Sequence, residues 1–208
     1  MEKNNESEKE KTKESAIKII LLGEPGVGKS SLINVYNGDP FSKYIQSTFQ
    51  SSFISKKLTI NEKSYEIHIW DTAGQERYRA INKIFIKDSH IVIFVYSITN
   101  RKSFMELKFW TEYVDELLGK DITIGIAANK IDLYETEGES VSKEEGQKFA
   151  DEKNCIFKQT SAKMDREGFE NFVNELINKF LSNNPDLKND SIALRNKKPK
   201  KNKQGKCC

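Results

Sequence analysis

A strand, a glycine-rich loop and a helix follow one another between residues 17 and 37. The apolar run Ile17–Leu22 predicts a buried strand, and the residues after the loop recur at helical spacing. The loop itself, residues 23–30, reads GEPGVGKS and fits the pattern G-x-x-x-x-G-K-[ST]. Because this pattern has its meaning only between a strand and a helix, its context here predicts a phosphate-binding loop and a nucleoside triphosphate ligand.

The residue types of this loop suit an anion. Gly26 and Gly28 allow the backbone to curl so that successive N–H groups point at one phosphate, and the helix N-terminus adds partial positive charge. Lys29 can reach the β- and γ-phosphates, and the Ser30 hydroxyl can bind magnesium. The predicted nucleotide-binding residues of the loop are Glu24, Pro25, Gly26, Val27, Gly28, Lys29, Ser30 and Ser31.

The rest of the apolar pattern predicts an α/β fold. Apolar residues alternate with polar ones on both sides of 61–63, which is typical of a hairpin with one solvated face. Later strands are predicted at Ile91–Tyr96, Ile122–Ala128 and Cys155–Gln159, and helices at Ser103–Leu117, from Ser142, and at Phe169–Phe180. Strands that alternate with helices imply a mostly parallel sheet, here six-stranded with helices on both faces, and a ligand beyond the carboxyl ends of the strands.

Charge is distributed unevenly along the 208 residues. Residues 1–16 carry four Lys and five Glu without apolar periodicity, which predicts a disordered tail. Residues 183–208 carry eight Lys or Arg against two Asp, so a flexible basic tail follows the predicted domain, 17–182, whose own net charge is −2. Because the basic charge belongs to the tail, a nucleic-acid partner for the domain is not expected.

Further polar motifs follow predicted strands where a bound nucleotide would need them. Asp71 closes the second hairpin strand, where its carboxylate can hold magnesium through water. In the DTAG sequence that begins there, Gly74 lets a backbone N–H approach the γ-phosphate, and Gln75 can orient the attacking water. Thr48 lies in the long polar loop after the first helix and can reach magnesium only when that loop closes. The predicted metal ligands are Ser30, Thr48 and Asp71, and the predicted catalytic residues are Gln75 and Lys29.

Two later strand ends carry motifs that select a base. Residues 129–132 read NKID, and the Asp132 carboxylate can accept two hydrogen bonds from guanine N1 and N2, whereas adenine lacks that exocyclic amine. Residues 160–163 read TSAK and direct the Ala162 N–H towards the guanine O6. Either motif alone is compatible with a surface turn, but their order and their places at strand ends predict guanine. The predicted residues are Asn129, Lys130, Asp132, Ser161, Ala162 and Lys163.

Over about Ile17–Ser182 these motifs resemble those of the Ras superfamily and, within it, the Rab family of membrane-traffic GTPases. Rab-like stretches are IWDTAGQERY at 69–78, VYSIT at 95–99 and the terminal pair Cys207-Cys208. Segment 48–58, with TFQSSF and KKL at its two ends, resembles the Rab branch that acts at early endosomes. The resemblance implies a small G-domain that hydrolyses GTP and recruits effectors in vesicular traffic.

The resemblance also implies partners and further site residues. Phe53, Trp70 and Phe85 correspond to the aromatic triad that effectors read in the GTP state, although ordinary core packing stays open for Trp70. Phe41 corresponds to the residue that packs against the guanine face. A monomer that binds Mg²⁺ and guanine nucleotide is implied, with an exchange factor, a GTPase-activating protein, a GDP-dissociation inhibitor or escort, and effectors as partners.

Three departures from the family pattern concern hydrolysis and effector choice. Pro25 stands where glycine or a small polar residue is more usual; it lacks an N–H, and its ring would lie near Gln75. Ser97 replaces the usual aspartate, and FIKD at 85–88 replaces the usual Tyr-Tyr-Arg-Gly. These changes put the hydrolysis rate and the identity of the effectors in question, while nucleotide binding is expected to be intact.

The end of the chain predicts a lipid anchor. Cys207 and Cys208 resemble the Rab substrate for double geranylgeranylation, and Gly205 at the fourth position from the end excludes a C-a-a-X box. The lysine-rich tail before them could be merely solvated, but two lipids with nearby lysines hold a protein on an anionic leaflet. No apolar window, signal peptide or N-terminal glycine suggests another anchor. The expected location is the cytoplasmic face of endosomal membranes, with a cytosolic pool when escorted.

Two other functions stay open on these residues. One is a metabolic P-loop kinase or ATPase, which the NKID motif at 129–132 disfavours. The other is a GTP-binding scaffold that does not hydrolyse its ligand, for which Pro25 is the hint. Nothing in the predicted domain resembles an arginine finger supplied in cis, so slow intrinsic turnover is expected.

Overall fold

The computed structural model describes residues 16–44, 52–60, 62–72, 79–119, 121–185 and 187, with the backbone alone at 52 and 79–82. Within these residues the strands are β1 (Ala16–Leu22), β2 (Ser52–Ile60), β3 (Lys63–Asp71), β4 (Ile91–Ser97), β5 (Thr123–Asn129) and β6 (Ile156–Gln159). The α-helices are α1 (Lys29–Asn37), α2 (Arg79–Ile86), α3 (Arg101–Met105), α4 (Leu107–Leu118), α5 (Tyr134–Glu137), α6 (Lys143–Glu152) and α7 (Arg166–Asn183). A 3₁₀ turn, Ile131–Leu133, precedes α5.

The strands form one sheet in the order β2-β3-β1-β4-β5-β6. β2 and β3 pair antiparallel, whereas β1 pairs parallel with β3 and β4, and β5 pairs parallel with β4 and β6. This arrangement confirms the predicted six-stranded, mostly parallel sheet. Because five strands run in the same direction, their carboxyl ends meet at one edge.

Helices cover both faces of the sheet, as predicted. Alternate residues of β1 point to opposite sides: Ile19 and Leu21 pack with α1 and α7, whereas Ile20 and Leu22 pack with α4 and α6. Every residue of β4 and β5 is buried, as expected of central strands with helices on both faces. No described helix is long and apolar enough to cross a membrane.

Some element bounds differ from the sequence prediction. The helix expected at 103–117 begins two residues earlier, because the Asn100 side chain accepts a hydrogen bond from the Ser103 N–H, and it divides into α3 and α4 at Glu106. β1 begins at Ala16, which the prediction assigned to the N-terminal tail, and β5 begins and ends one residue later than expected. The sequence prediction did not include α2.

The edge strand β2 is fastened to the helices behind it. Lys56 Nζ lies 3.1 Å from Glu170 Oε1 on α7 and 4.4 Å from the centroid of the Tyr36 ring on α1. Tyr36 in turn meets Phe169 of α7 edge to face, with ring centroids 6.2 Å apart. One lysine therefore holds the outermost strand against two helices.

We predict that Glu170→Gln lowers the free energy of unfolding by ~0.5–1 kcal/mol, because the neutral amide loses the charge attraction to Lys56. The effect is small since the side chains are 31% and 33% exposed, so that solvent screens the pair. Urea unfolding followed by circular dichroism measures it.

The matched control is Glu175→Gln, an exposed position of the same helix. Equal losses in the two variants would show that the contact with Lys56 contributes nothing beyond a change of charge on α7.

Candidate functional site

The predicted motifs meet at the carboxyl edge of the sheet. The loop 23–28 follows β1, Asp71 ends β3, Asn129 ends β5, and residues 160–163 follow β6. Parallel pairing of these strands places the four motifs side by side. This edge is where ligands bind in open α/β sheets.

Gly26 and Gly28 are two positions of the glycine-rich loop that need glycine. Gly26 and Gly28 have φ of +73° and +100°, a left-handed conformation that other residues rarely adopt. A Cβ atom on Gly28 would also collide with the side-chain amide of Asn129. No described side chain caps α1 at Gly28, and the N–H groups at the start of a helix favour an anion.

Lys29 is almost fully buried beneath the loop, with 5% of its surface exposed. Its Nζ donates hydrogen bonds to the carbonyl oxygens of Gly23, at 2.8 Å, and Glu24, at 2.9 Å. Burial lowers the pKa of Lys29 to about 8, and the negative charges of Asp71 and Glu24 oppose that shift. The two hydrogen bonds leave one N–H of the Lys29 ammonium free to donate to a phosphate oxygen. A bound phosphate would also supply the negative charge that stabilises a buried ammonium.

Asn129 joins the phosphate loop to the end of the sheet. Its Nδ2 donates to the Val27 carbonyl at 2.8 Å, and its Oδ1 accepts from the Thr160 hydroxyl at 3.3 Å. We call this pair of hydrogen bonds the Asn129 bridge. It is buried, since Asn129 and Thr160 are 1% and 0% exposed. The bridge fixes the loop relative to the two strand ends that carry the base-selecting motifs.

The two base-selecting motifs are bonded to each other. Ser161 Oγ donates to Asp132 Oδ1 at 2.6 Å and accepts from the backbone N–H groups of Lys163 and Met164. The Ile131 N–H donates to the Thr160 carbonyl at 3.3 Å. A carboxylate has more lone pairs than this contact uses, so Asp132 retains capacity to accept from a base. Ala162 beside it is buried.

Oxygen donors suited to magnesium lie next to the loop. Asp71 is buried at the end of β3, close enough to Lys29 to affect its pKa, and Ser30 lies in the first turn of α1. Thr72 Oγ1 donates to the Leu21 carbonyl at 2.6 Å and so holds the chain as it leaves β3. A carboxylate and a hydroxyl are the kind of hard ligand that Mg²⁺ takes together with phosphate and water oxygens, so the residues present fit this ion.

The remaining predicted site residues divide into those the structure describes and those it does not. Pro25 and Lys163 are exposed, Ser31 and Lys130 are partly buried, and Phe41, 40% exposed, follows α1. Lys130 adopts a left-handed φ of +69°. Thr48, Gly74, Gln75, Cys207 and Cys208 lie outside the described residues.

The three aromatic residues assigned to effectors are in contact. The Phe53 and Trp70 rings are stacked with centroids 4.8 Å apart, and Trp70 lies 5.4 Å from Phe85. Phe53 is 51% exposed, whereas Trp70 and Phe85 are partly buried against the core. Trp70 therefore contacts the exposed Phe53 ring and also packs against the core, so its role towards effectors stays a prediction.

The sequence motifs include Thr72, Thr160 and Asn129, but they did not predict the hydrogen bonds by which these residues hold the site in shape. Thr72 and Thr160 make buried hydrogen bonds to Leu21 and Asn129, and the amide of Asn129 reaches the Val27 carbonyl. The only signal for Thr72 and Thr160 is a hydroxyl at a strand end beside each motif. Nothing in the sequence tells which partner each group finds, because their partners lie between 31 and 102 positions away.

The sheet, the loop and the strand-end motifs define the P-loop class of nucleotide-binding proteins. A family model described as the Ras family matches residues 18–182. The chain is 38% identical over 168 residues to Ras-related protein Rab-21 of Geodia cydonium, covering 81% of this chain and 72% of the relative. It is also 38% identical over 166 residues to human Rab-21, covering 80% and 72%, and 37% identical to the mouse protein, covering 80% and 73%.

The chain therefore belongs to the Ras family and, within it, to the Rab family of small GTPases, which hydrolyse GTP and act in vesicular traffic. This confirms the family, fold class and enzyme class predicted from the motifs. Membership of this family also excludes the alternative of a metabolic P-loop kinase or ATPase. As in Ras-family proteins generally, guanine nucleotide is the ligand, Mg²⁺ accompanies it, and regulators and effectors are the partners.

We predict that Asn129→Ala speeds the release of GDP by about tenfold or more, because a buried carbonyl left without its donor costs ~1–3 kcal/mol and frees the loop. Release of a fluorescent GDP analogue measures the rate, and Asn178→Ala, at an exposed position of α7, is the control. An unchanged rate in a folded Asn129→Ala protein would contradict the role of the Asn129 bridge.

Proposed function

We propose that this GTPase is a two-state switch that recruits effectors to endosomal membranes while GTP is bound. The observation that supports the proposal is the Asn129 bridge, which ties the phosphate loop at Val27 to the strand ends that carry the base-selecting motifs. Because the bridge links the phosphate loop to the base-selecting strand ends, a single ligand with both a base and phosphates fits the site best. GTP is that ligand.

We infer the following roles around the base. Asp132, oriented by Ser161, accepts from guanine N1 and N2. The N–H of Ala162 donates to O6, and Phe41 packs against one face of the ring. Adenine offers an acceptor at N1 and no amine at position 2, so it leaves the Asp132 carboxylate unsatisfied, which discriminates strongly between bases.

The phosphates lie in the loop over Lys29, whose ammonium and the N–H groups of the first turn of α1 face them. Ser30 and Asp71, with Thr48 when its loop closes, would hold Mg²⁺ beside the β- and γ-phosphates. The ion would neutralise charge on the phosphate oxygens as the bond to the γ-phosphate breaks.

For hydrolysis, Gln75 orients the attacking water and Lys29 stabilises the negative charge of the transferring group. Pro25 gives the loop a residue without an N–H beside the γ-phosphate, and we expect it to restrain the intrinsic rate. A GTPase-activating protein would supply an arginine, which raises such rates by roughly 10³–10⁵-fold.

The switch consists of the two segments that contact the γ-phosphate. Thr48 and the Gly74 N–H hold their segments only while that group is present, so hydrolysis releases both and removes the effector surface around Phe53, Trp70 and Phe85. An exchange factor would open the site to replace GDP, because a nucleotide with this many contacts leaves slowly.

A lipid anchor on Cys207 and Cys208 would hold the switch at the membrane, and the basic tail, from residue 183 onwards, would add attraction to anionic lipids. A GDP-dissociation inhibitor or escort would cover the lipids of the cytosolic pool. The resemblance of segment 48–58 to the early-endosomal Rab branch favours the endosome as the organelle.

Single-turnover hydrolysis of GTP tests the switch. We expect slow turnover in the wild-type chain, none in Gln75→Leu, and a faster rate in Pro25→Gly, because the change restores a backbone N–H beside the γ-phosphate. Equal rates in wild type and Gln75→Leu would contradict the role of Gln75, and equal rates in wild type and Pro25→Gly would show that the proline has no effect.

We predict that changing both Cys207 and Cys208 to Ser moves the protein from membranes to the cytosol, because the two prenyl chains expected there supply the apolar area that binds the bilayer. Fractionation of cells that express each variant measures the shift. Cys155→Ser is the control, since that thiol is buried ahead of β6. Membrane association that persists in the double variant would refute the lipid anchor.

A further inference from the structure

The aromatic triad continues into a polar row on the same face of the sheet. In the strand register, Phe53 lies opposite Trp70, Ser55 lies opposite His68, and Lys18 is the partner of His68 on β1. Because side chains two apart on a strand share a face, Trp70 and His68 point to the same side. The outward side chains of β1, β2 and β3 thus form one surface.

Four rings follow one another across this surface. The His68 ring lies 5.3 Å from Phe53, Phe53 lies 4.8 Å from Trp70, and Trp70 lies 5.4 Å from Phe85. We call these four side chains the aromatic row. Its Phe53 ring is half exposed, so the row presents apolar area for contact with another molecule.

A cation is held at the side of the aromatic row. Lys18 Nζ lies 5.2 Å from the centroid of the Trp70 ring and donates to the Lys87 carbonyl at 2.7 Å. Partial burial of Lys18 lowers the pKa of its ammonium, while the Asp88 charge opposes the shift. These contacts fix the ammonium beside the rings, so little conformational freedom remains to be lost when a carboxylate approaches.

The Glu66 carboxylate on β3 is already engaged within this surface. Glu66 Oε1 lies 3.0 Å from His68 Nε2 and accepts from the Ser55 hydroxyl at 2.8 Å. Hydrogen bonds from His68 and Ser55 lower the pKa of Glu66, so its charge is directed towards those groups. Exposed Lys87, whose carbonyl accepts from Lys18, adds a second cation to this region.

We propose that this surface selects an effector segment that is amphipathic and acidic, with apolar side chains on the aromatic row and a carboxylate facing Lys18. The inference rests on the proposed function, because it names the partner chemistry of the effector surface. Charge complementarity supports it. The Asp88 charge offsets part of the Lys18 charge, but exposed Lys57 and Lys87 add two further cations. The Glu66 carboxylate is satisfied by His68 and Ser55.

Selection from a displayed library of randomised helical peptides tests the proposal. The full chain loaded with a non-hydrolysable GTP analogue is the target, and each enriched peptide is afterwards tested for binding to the GDP-loaded chain. We expect the enriched peptides to carry more Asp and Glu than the starting library, placed next to apolar residues. We expect Lys18→Met, which keeps the aliphatic stem and removes the charge, to weaken their binding about fivefold or more.

Lys148→Met, at an exposed position of α6, is the matched control and should leave binding unchanged. Lys18→Glu should reverse the preference and enrich basic peptides, provided that its thermal unfolding matches the wild type. Peptides without an acidic excess, binding that is indifferent to Lys18→Met, or a selection that yields no binder would overturn the inference.

The acidic partner and the nucleotide switch can be refuted separately. Acidic peptides that depend on Lys18 but bind the GDP-loaded and GTP-loaded chains alike would support the acidic partner and contradict the nucleotide switch. Peptides that require the GTP analogue but show no acidic excess would support the switch and overturn the acidic partner.

Discussion

The hydrogen bond from the Asn129 amide to the Val27 carbonyl is the contact on which the site depends. It joins a loop after the first strand to a residue at the end of the fifth, 102 positions later. Gly28 must lack a side chain for the amide to fit, and Thr160 completes the bridge from the last strand. The shape of the nucleotide site is therefore a property of the whole sheet, and the glycine-rich loop alone does not determine it.

Much of this architecture could be predicted because the signals are local. The loop at 23–30 has a spacing that only a phosphate explains, and buried runs such as Ile91–Tyr96 are long enough to identify central strands. Strand-end motifs were placed correctly at one edge, since parallel strands bring their carboxyl ends together. The family followed from the same residues, because the motifs stand in order over most of the chain.

The features that could not be predicted are contacts that form only once the chain has folded. The two hydrogen bonds of Lys29, the hydroxyl of Thr72 on the Leu21 carbonyl and the cation of Lys18 over the Trp70 ring all need the folded geometry. The extent of β2 was missed for a similar reason. Its outward residues are polar or exposed, so the strand exists through its pairing with β3 rather than through its own apolar pattern.

The packing of α7 would have a mechanical consequence if the proposed lipid anchor tethers the chain by its C-terminus. Force on the tail enters the domain through α7, whose apolar side chains lie in the core and whose Phe169 touches Tyr36 of α1. A pull along the helix axis must shear all of these contacts at once, whereas a pull away from the sheet peels them one by one. The orientation of the domain relative to the membrane would then set the load that it withstands. Through α7 that load would reach both α1, which begins at Lys29, and residues 160–163, which lead into α7.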